Sequence, residues 1–186
     1  AQTEWIAPDN FPDLSGYKLI AIDLETRDPD LKSKGSGAVI GNGEIIGVAV
    51  AVDGWCKYYP FGHEGGGNLD KKKILSWLSD VCATEATKIF HNAMYDVCWL
   101  RSYGIKINGH IMDTMVMASL VDENRMRYTL NALSWEYLGE RKSEATLFEI
   151  AKNWGIDPKA ELYKLPAIYV GEYAEKDASL TLDLFK

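Results

Sequence analysis

The chain is poor in cysteine, in histidine and in positive charge. Its three cysteines, Cys56, Cys82 and Cys98, are scattered through 186 residues with no C-x-x-C pair. That excludes a disulfide framework or a zinc ribbon and leads us to expect a reducing, cytoplasmic setting. His91, Cys98 and His110 do not share zinc-ligand spacing and read as packing or surface groups. No apolar run is long enough to cross a membrane, so no membrane partner is expected. The first residues lack a basic n-region and an apolar h-region, which argues against a signal peptide. They also lack a Met, and the chain stops inside a helical pattern, Ala178 to Leu184. Both features lead us to expect a piece of a larger protein. Gly62 to Gly67 is glycine-rich but has no Walker lysine at the required spacing, so a phosphate-binding loop is not expected. With no internal repeat, low-complexity tract or linker, residues 1–186 read as a single domain.

The shortage of cations gives a formal net charge of -7. Phosphate contacts need Lys and Arg, so this charge looks wrong for a nucleic-acid binder. One explanation is a solubilising surface; the other is a metal site that concentrates acids. Two divalent ions would offset four of those charges. Arg125, Arg127, Arg141 and Lys142 could touch phosphates, although a solvated basic face is the simpler reading.

What is present is a clear alternation of elements. Tyr17 to Asp23 is an apolar run that reads as a buried central strand. Arg27 to Gly43, rich in Asp, Lys, Gly and Ser, reads as a long mobile loop. Glu44 to Val52 and Trp55 to Phe61 read as strands joined by a tight Asp53-Gly54 turn, giving an antiparallel meander. Leu69 to Ala83 has helical periodicity. Thr87 to His91 reads as a strand, Asn92 to Tyr103 as a helix and Ile105 to Met112 as a short strand. Helices follow over Thr114–Leu120, Tyr128–Leu138, Glu144–Asn153 and from about Ala167 onward. The order predicts an α/β protein with a mixed five-stranded sheet, three antiparallel strands extended by two parallel ones and flanked by helices. It resembles the ribonuclease H-like fold.

Acids recur at suggestive spacings. Asp23 and Glu25 are two apart, so they share a face if the strand continues. Such a pair is costly there unless paired or metal-bound, and a solvated turn acid is an equally good reading of this pair alone. Asn92 and Asp96, at i and i+4, share one face of a helix. Asn92 alone reads as a helix N-cap. Asp96, among Ala93, Met94, Tyr95, Val97 and Trp99, calls for a partner. Tyr173 and Asp177 repeat the i, i+4 spacing on the last helix, where a half-buried Tyr beside a surface acid is the simpler explanation. Asp113 reads as an N-cap rather than as a ligand.

Taken together, D-x-E-T, N-x3-D and Y-x3-D resemble the three exonuclease motifs of the DEDD superfamily, tyrosine subclass. Ile22 to Thr26, His91 to Asp96 and Tyr173 to Ala178 resemble the 3′–5′ proofreading domain of family A DNA polymerases. So do Met112 to Met115 and Thr129 to Leu133. The long Arg27–Gly43 loop looks more like that of phage polymerases. A histidine subclass would carry His four residues before Asp177, where this chain has Tyr173.

The resemblance implies a metal-dependent hydrolase that trims single-stranded DNA 3′ ends to nucleoside monophosphates, with a covalently linked polymerase domain. It implies two divalent ions, Mg2+ or Mn2+, about 4 Å apart on the scissile phosphate. Asp23, Glu25 and Asp177 would hold the first, and Asp23 and Asp96 the second. Tyr173 would orient the attacking water, since a phenol of ordinary pKa, about 10, is a poor base. Thr26 and Asn92 would contact the terminal nucleotide. The same motifs also resemble RNA-trimming exonucleases of the ribonuclease D type. An inactive strand-binding module is the non-enzymatic alternative, disfavoured because all four acids and the tyrosine are kept.

Overall fold

A computed structural model describes residues 5–121, 144–158 and 160–186. The helix expected over Tyr128–Leu138 and the cations Arg125, Arg127, Arg141 and Lys142 lie outside those residues, as does the segment Thr129–Leu133. The described residues form one five-stranded sheet in the order β3-β2-β1-β4-β5. Strands β1 (Leu19–Arg27), β2 (Glu44–Val52) and β3 (Trp55–Pro60) form the antiparallel meander. Gly54 takes the turn between the last two at φ 79°, a conformation glycine adopts without strain. Strands β4 (Thr87–Phe90) and β5 (Ile111–Asp113) extend the sheet in parallel from the other side of β1. This is the ribonuclease H-like arrangement expected from the order of elements.

Each face of the sheet is covered by helices, and the alternation along β1 decides which residues go where. Ile20, Ile22 and Leu24 enter a core with α3 (Lys71–Ala83) and α4 (Ala93–Ser102). Ala21 faces the opposite way, into a core with α6 (Glu144–Trp154) and α7 (Ala167–Phe185). Asp23 and Glu25 continue the Ala21 face. Small side chains, Ala21, Ala49 and Ala51 on the sheet and Ala174 and Ala178 on α7, let that helix lie close to the strands. Helix α5 (Thr114–Val121) follows β5 directly.

Three boundaries differ from the sequence reading. The central strand runs past Asp23 to Arg27, with its register against β2 shifting between Glu25 and Thr26. The Arg27–Gly43 stretch contains two single-turn helices, α1 (Leu31–Lys34) and α2 (Gly37–Ile40). Four-residue turns are too short to leave a periodic pattern. The last strand is confined to Ile111–Asp113, because the parallel pairing with β4 spans only Lys88 to Phe90.

Lys88, fully buried on β4, is held by carbonyls. Its Nζ donates to Thr84 O and, at 2.8 Å, to Asn108 O, tying the end of α3 to the approach to β5. These bonds satisfy a cation that burial would otherwise make costly.

Candidate active site

Asp23 and Glu25 face the same side because β1 continues through both. Opposite Glu25 on β2 stands Gly47, where a Cβ would collide with the Tyr58 hydroxyl. Helix α7 crosses this face and brings Tyr173 and Asp177, one turn apart, toward the strand. Ligand oxygens of Asp23, Glu25 and Asp177 all lie within 4.8 Å of one another. Asp23 and Glu25 are half-buried and Asp177 is buried.

The fourth acid arrives from the parallel strand. Ile89 pairs with Ala21, and β4 ends one residue later, so α4 begins level with Asp23. Asp96, in the first turn of α4, is only 4% exposed. Burial lifts its carboxyl well above the usual range; the Asp23 and Asp113 charges add to the rise, and the Leu24 backbone opposes it. Its Oδ2 is buried without a hydrogen bond.

A buried carboxylate oxygen with no donor, in the field of the Asp23 charge, is an environment that suits a hard cation. The donor set is all oxygen, which suits Mg2+ or Mn2+. The residues therefore fit divalent ions, with Asp23, Glu25 and Asp177 as one ligand group and Asp96 beside Asp23.

Asn92 is exposed, and it is the only described non-glycine residue with positive φ (70°). It makes no side-chain cap, so the N-cap reading of its side chain is replaced. Asp113 does the capping from the end of β5. Its Oδ1 accepts from Asn92 N and, at the start of α5, from Met115 N, both at 2.9 Å; its Oδ2 accepts from Ala93 N at 2.8 Å. One carboxylate thus serves two helix N-termini. Beside it, His91 Nδ1 is bonded to Thr114 Oγ1 at 2.8 Å, a structural role rather than a ligand role.

Thr26 Oγ1 is 2.9 Å from Tyr95 Oη, and Tyr95 donates onward to Asp28 Oδ2 at 2.9 Å. Burial raises the Tyr95 phenol to about 12, which keeps it a hydrogen-bonding hydroxyl at neutral pH. Tyr95, Asp28 and the double role of Asp113 were not assigned from the sequence. The only hint for Tyr95 was its place inside the N-x3-D segment.

A mixed sheet whose first strand and last helix bring three acids together, with a fourth on the helix that follows the first parallel strand, belongs to the ribonuclease H-like nucleases. The chain belongs to the 3′–5′ exonuclease family of DNA polymerase A type, which it matches over residues 3–186. It is 36% identical to a DNA-directed DNA polymerase of Pseudomonas phage M6, over 99% of this chain and 29% of that one. It is 30% identical to DNA polymerase DpoZ of Salmonella phage PMBT28, over 95% of this chain and 27% of that one. The chain thus spans less than a third of the curated relatives it matches. Among solved structures, Brucella melitensis NrnC bound to pGG shares the fold, with a TM-score of 0.60, 19% identity, and coverage of 95% of this chain and 72% of that one.

Proposed function

We propose that this exonuclease domain is a two-metal-dependent 3′–5′ exodeoxyribonuclease that removes nucleoside monophosphates from single-stranded DNA ends. The observation that carries the reading is the convergence of Asp23, Glu25 and Asp177 oxygens within 4.8 Å, with buried Asp96 beside Asp23. When bound, two divalent ions would supply an activated water and offset charge on the scissile phosphate. Asp23, Glu25 and Asp177 would hold one ion, and Asp96, with Asp23, would serve the other. Tyr173, one turn before Asp177, orients the attacking water through its hydroxyl. Thr26 and exposed Asn92 contact the terminal nucleotide.

The relatives that span three to four times this length are DNA polymerases. We therefore read residues 1–186 as one proofreading domain joined covalently to a polymerase. Three free thiols, Cys56, Cys82 and Cys98, fit work in the reducing cytoplasm. None of the described helices is long and apolar enough to cross a membrane.

The test mixes the protein with 3′-labelled and 5′-labelled single-stranded DNA in Mg2+ or Mn2+, then adds EDTA. Shortening from the 3′ end that stops with EDTA is the expected result, and its absence overturns the proposal. A second reading, RNA trimming of the ribonuclease D type, is supported by the fold shared with NrnC bound to pGG. RNA and DNA of one sequence, compared at equal concentration, separate the two.

A further inference from the structure

Helix α7 rests on the sheet through small side chains. Ala174 and Ala178, both fully buried, lie over Ala21, Ala49 and Ala51. Such residues let the helix come close, but they offer few ridges to stop it turning about its own axis. Tyr173 and Asp177 occupy the flank that meets β1, and there ligand oxygens of Asp23, Glu25 and Asp177 lie within 4.8 Å of one another. Carboxylates that close repel one another until a cation offsets them. The active flank of α7 is therefore pushed outward, and its sheet-facing side does little to fix its rotation.

The opposite flank is held. Gly171 and Glu175, one turn apart, face the edge strand β3. Glu175 Oε1 accepts the Tyr58 amide of β3 at 3.1 Å and the Trp5 indole N–H at 3.0 Å. The Tyr58 amide is a ladder position that the edge of a sheet leaves open. Trp5 fits where Gly171 leaves room, since a Cβ there would come within 2.1 Å of the indole. The Trp5 and Tyr58 ring centroids are 6.2 Å apart. Cys56 adds a further tie, its Sγ donating to the Glu175 carbonyl at 3.0 Å. The Tyr58 side chain then runs toward the site, and its hydroxyl fills the space left by Gly47, the residue opposite Glu25 on β2.

We propose that Glu175 is a positioning residue for hydrolysis: with Trp5, from the segment ahead of β1, it clamps the rotation of α7 and so sets where Tyr173 and Asp177 meet Asp23 and Glu25. The lever is short. Side-chain ends lie ~5 Å from a helix axis, so a turn of about 10° moves the Asp177 carboxylate by about 1 Å. A misplacement of that size costs on the order of a hundredfold in rate when reacting groups must be aligned. Glu175 fills one of the three open positions in the Y-x3-D spacing and acts from the far flank of the helix. The inference rests on the exonuclease reading, and its test separates the two.

Glu175→Ala, Glu175→Gln, Trp5→Phe and the parent are compared at a temperature where circular dichroism shows each to be folded. Two quantities are read: kcat and KM on single-stranded DNA in saturating Mg2+, and Mn2+ affinity by calorimetry with no DNA present. Glu175→Ala lowers kcat by about ten- to a hundredfold and weakens Mn2+ binding by about tenfold. KM for DNA stays within about twofold, because Thr26 and Asn92 are not on α7. Glu175→Gln keeps an acceptor oxygen for both donors and stays within about threefold of the parent in kcat and Mn2+ affinity. Trp5→Phe keeps a ring and removes one donor, so it lowers kcat by about three- to tenfold. It decides the matter should Glu175→Ala fail to fold. Parent-like kcat and Mn2+ affinity in the folded Glu175→Ala protein, or in Trp5→Phe where that one does not fold, overturn the clamp. So does a Gln variant as impaired as the Ala variant. A parent that hydrolyses no DNA overturns the exonuclease reading, and the Mn2+ affinities then decide the clamp alone.

Discussion

The Asn92 amide donates to Asp113 Oδ1 at 2.9 Å, and the next amide, Ala93, donates to Oδ2 at 2.8 Å. A carboxylate at the end of one parallel strand therefore sets the backbone of the residue that follows its neighbour. Asn92 sits in a left-handed conformation that a non-glycine residue adopts at some cost, and Asp113 supplies the compensating bonds.

Asp113→Ala orphans amides at two helix starts and lowers stability by about 2 kcal/mol, measured by urea unfolding. It also raises KM for single-stranded DNA at temperatures where the variant is fully folded, because Asn92 and the Asp96 turn are no longer held. An unchanged KM would confine Asp113 to a structural role.

Asp23→Ala and Asp177→Ala each remove a ligand from the closest carboxylate group and reduce hydrolysis on the order of a thousandfold or more. Circular dichroism of both variants matches the parent. Saturating Mg2+, at about a hundred times its Kd, stabilises the parent by about 2.7 kcal/mol, and the Asp177→Ala protein gains much less. Thermal melts with Mg2+ and with EDTA read the difference.

Tyr173→Phe keeps the ring against the sheet and removes only the hydroxyl. We expect kcat to fall by about ten- to a hundredfold, the range for one lost orienting hydrogen bond. Calorimetric Mn2+ binding stays close to that of the parent. A parallel loss of metal affinity would assign the hydroxyl to the ligand shell instead.

His63 is 3% exposed, and burial lowers its pKa from 6.5 to about 4. Its Nδ1 faces the Leu165 carbonyl at 3.0 Å and so carries the proton, leaving Nε2 to accept the Tyr58 hydroxyl at 2.7 Å. With the folded pKa below the unfolded one, stability is intact above pH 6.5 and is lost as the pH falls toward 4. By pH 5 the loss reaches about 2 kcal/mol. Urea unfolding at pH 7, 6 and 5 measures the slope, which His63→Gln flattens.

The meander was legible from β2's apolar run and the Asp53-Gly54 turn, since both signals are local. The pairing of Asp23 with Glu25 was legible because strand spacing alone puts them on one face. The meeting of those acids with Asp177 was expected from the motif resemblance alone, because no local spacing encodes how α7 packs across Ala21, Ala49 and Ala51. Asp113 looked like an ordinary cap because its second helix lies across the β4–β5 register, some twenty residues away in sequence. Asp28 gave no signal at all, since its partners Gly37 and Tyr95 meet it only when the Arg27–Gly43 stretch folds back.

The site is divided between the first strand and the last helix, with Asp23 and Asp177 more than 150 positions apart. Synthesis delivers the chain from its N-terminus, and domains fold as units once complete. A ribosome-bound chain therefore holds Asp23, Glu25 and Asp96 long before it holds Asp177 and Tyr173. The group of three acids is therefore complete only once the last helix has been made and has packed against the first strand.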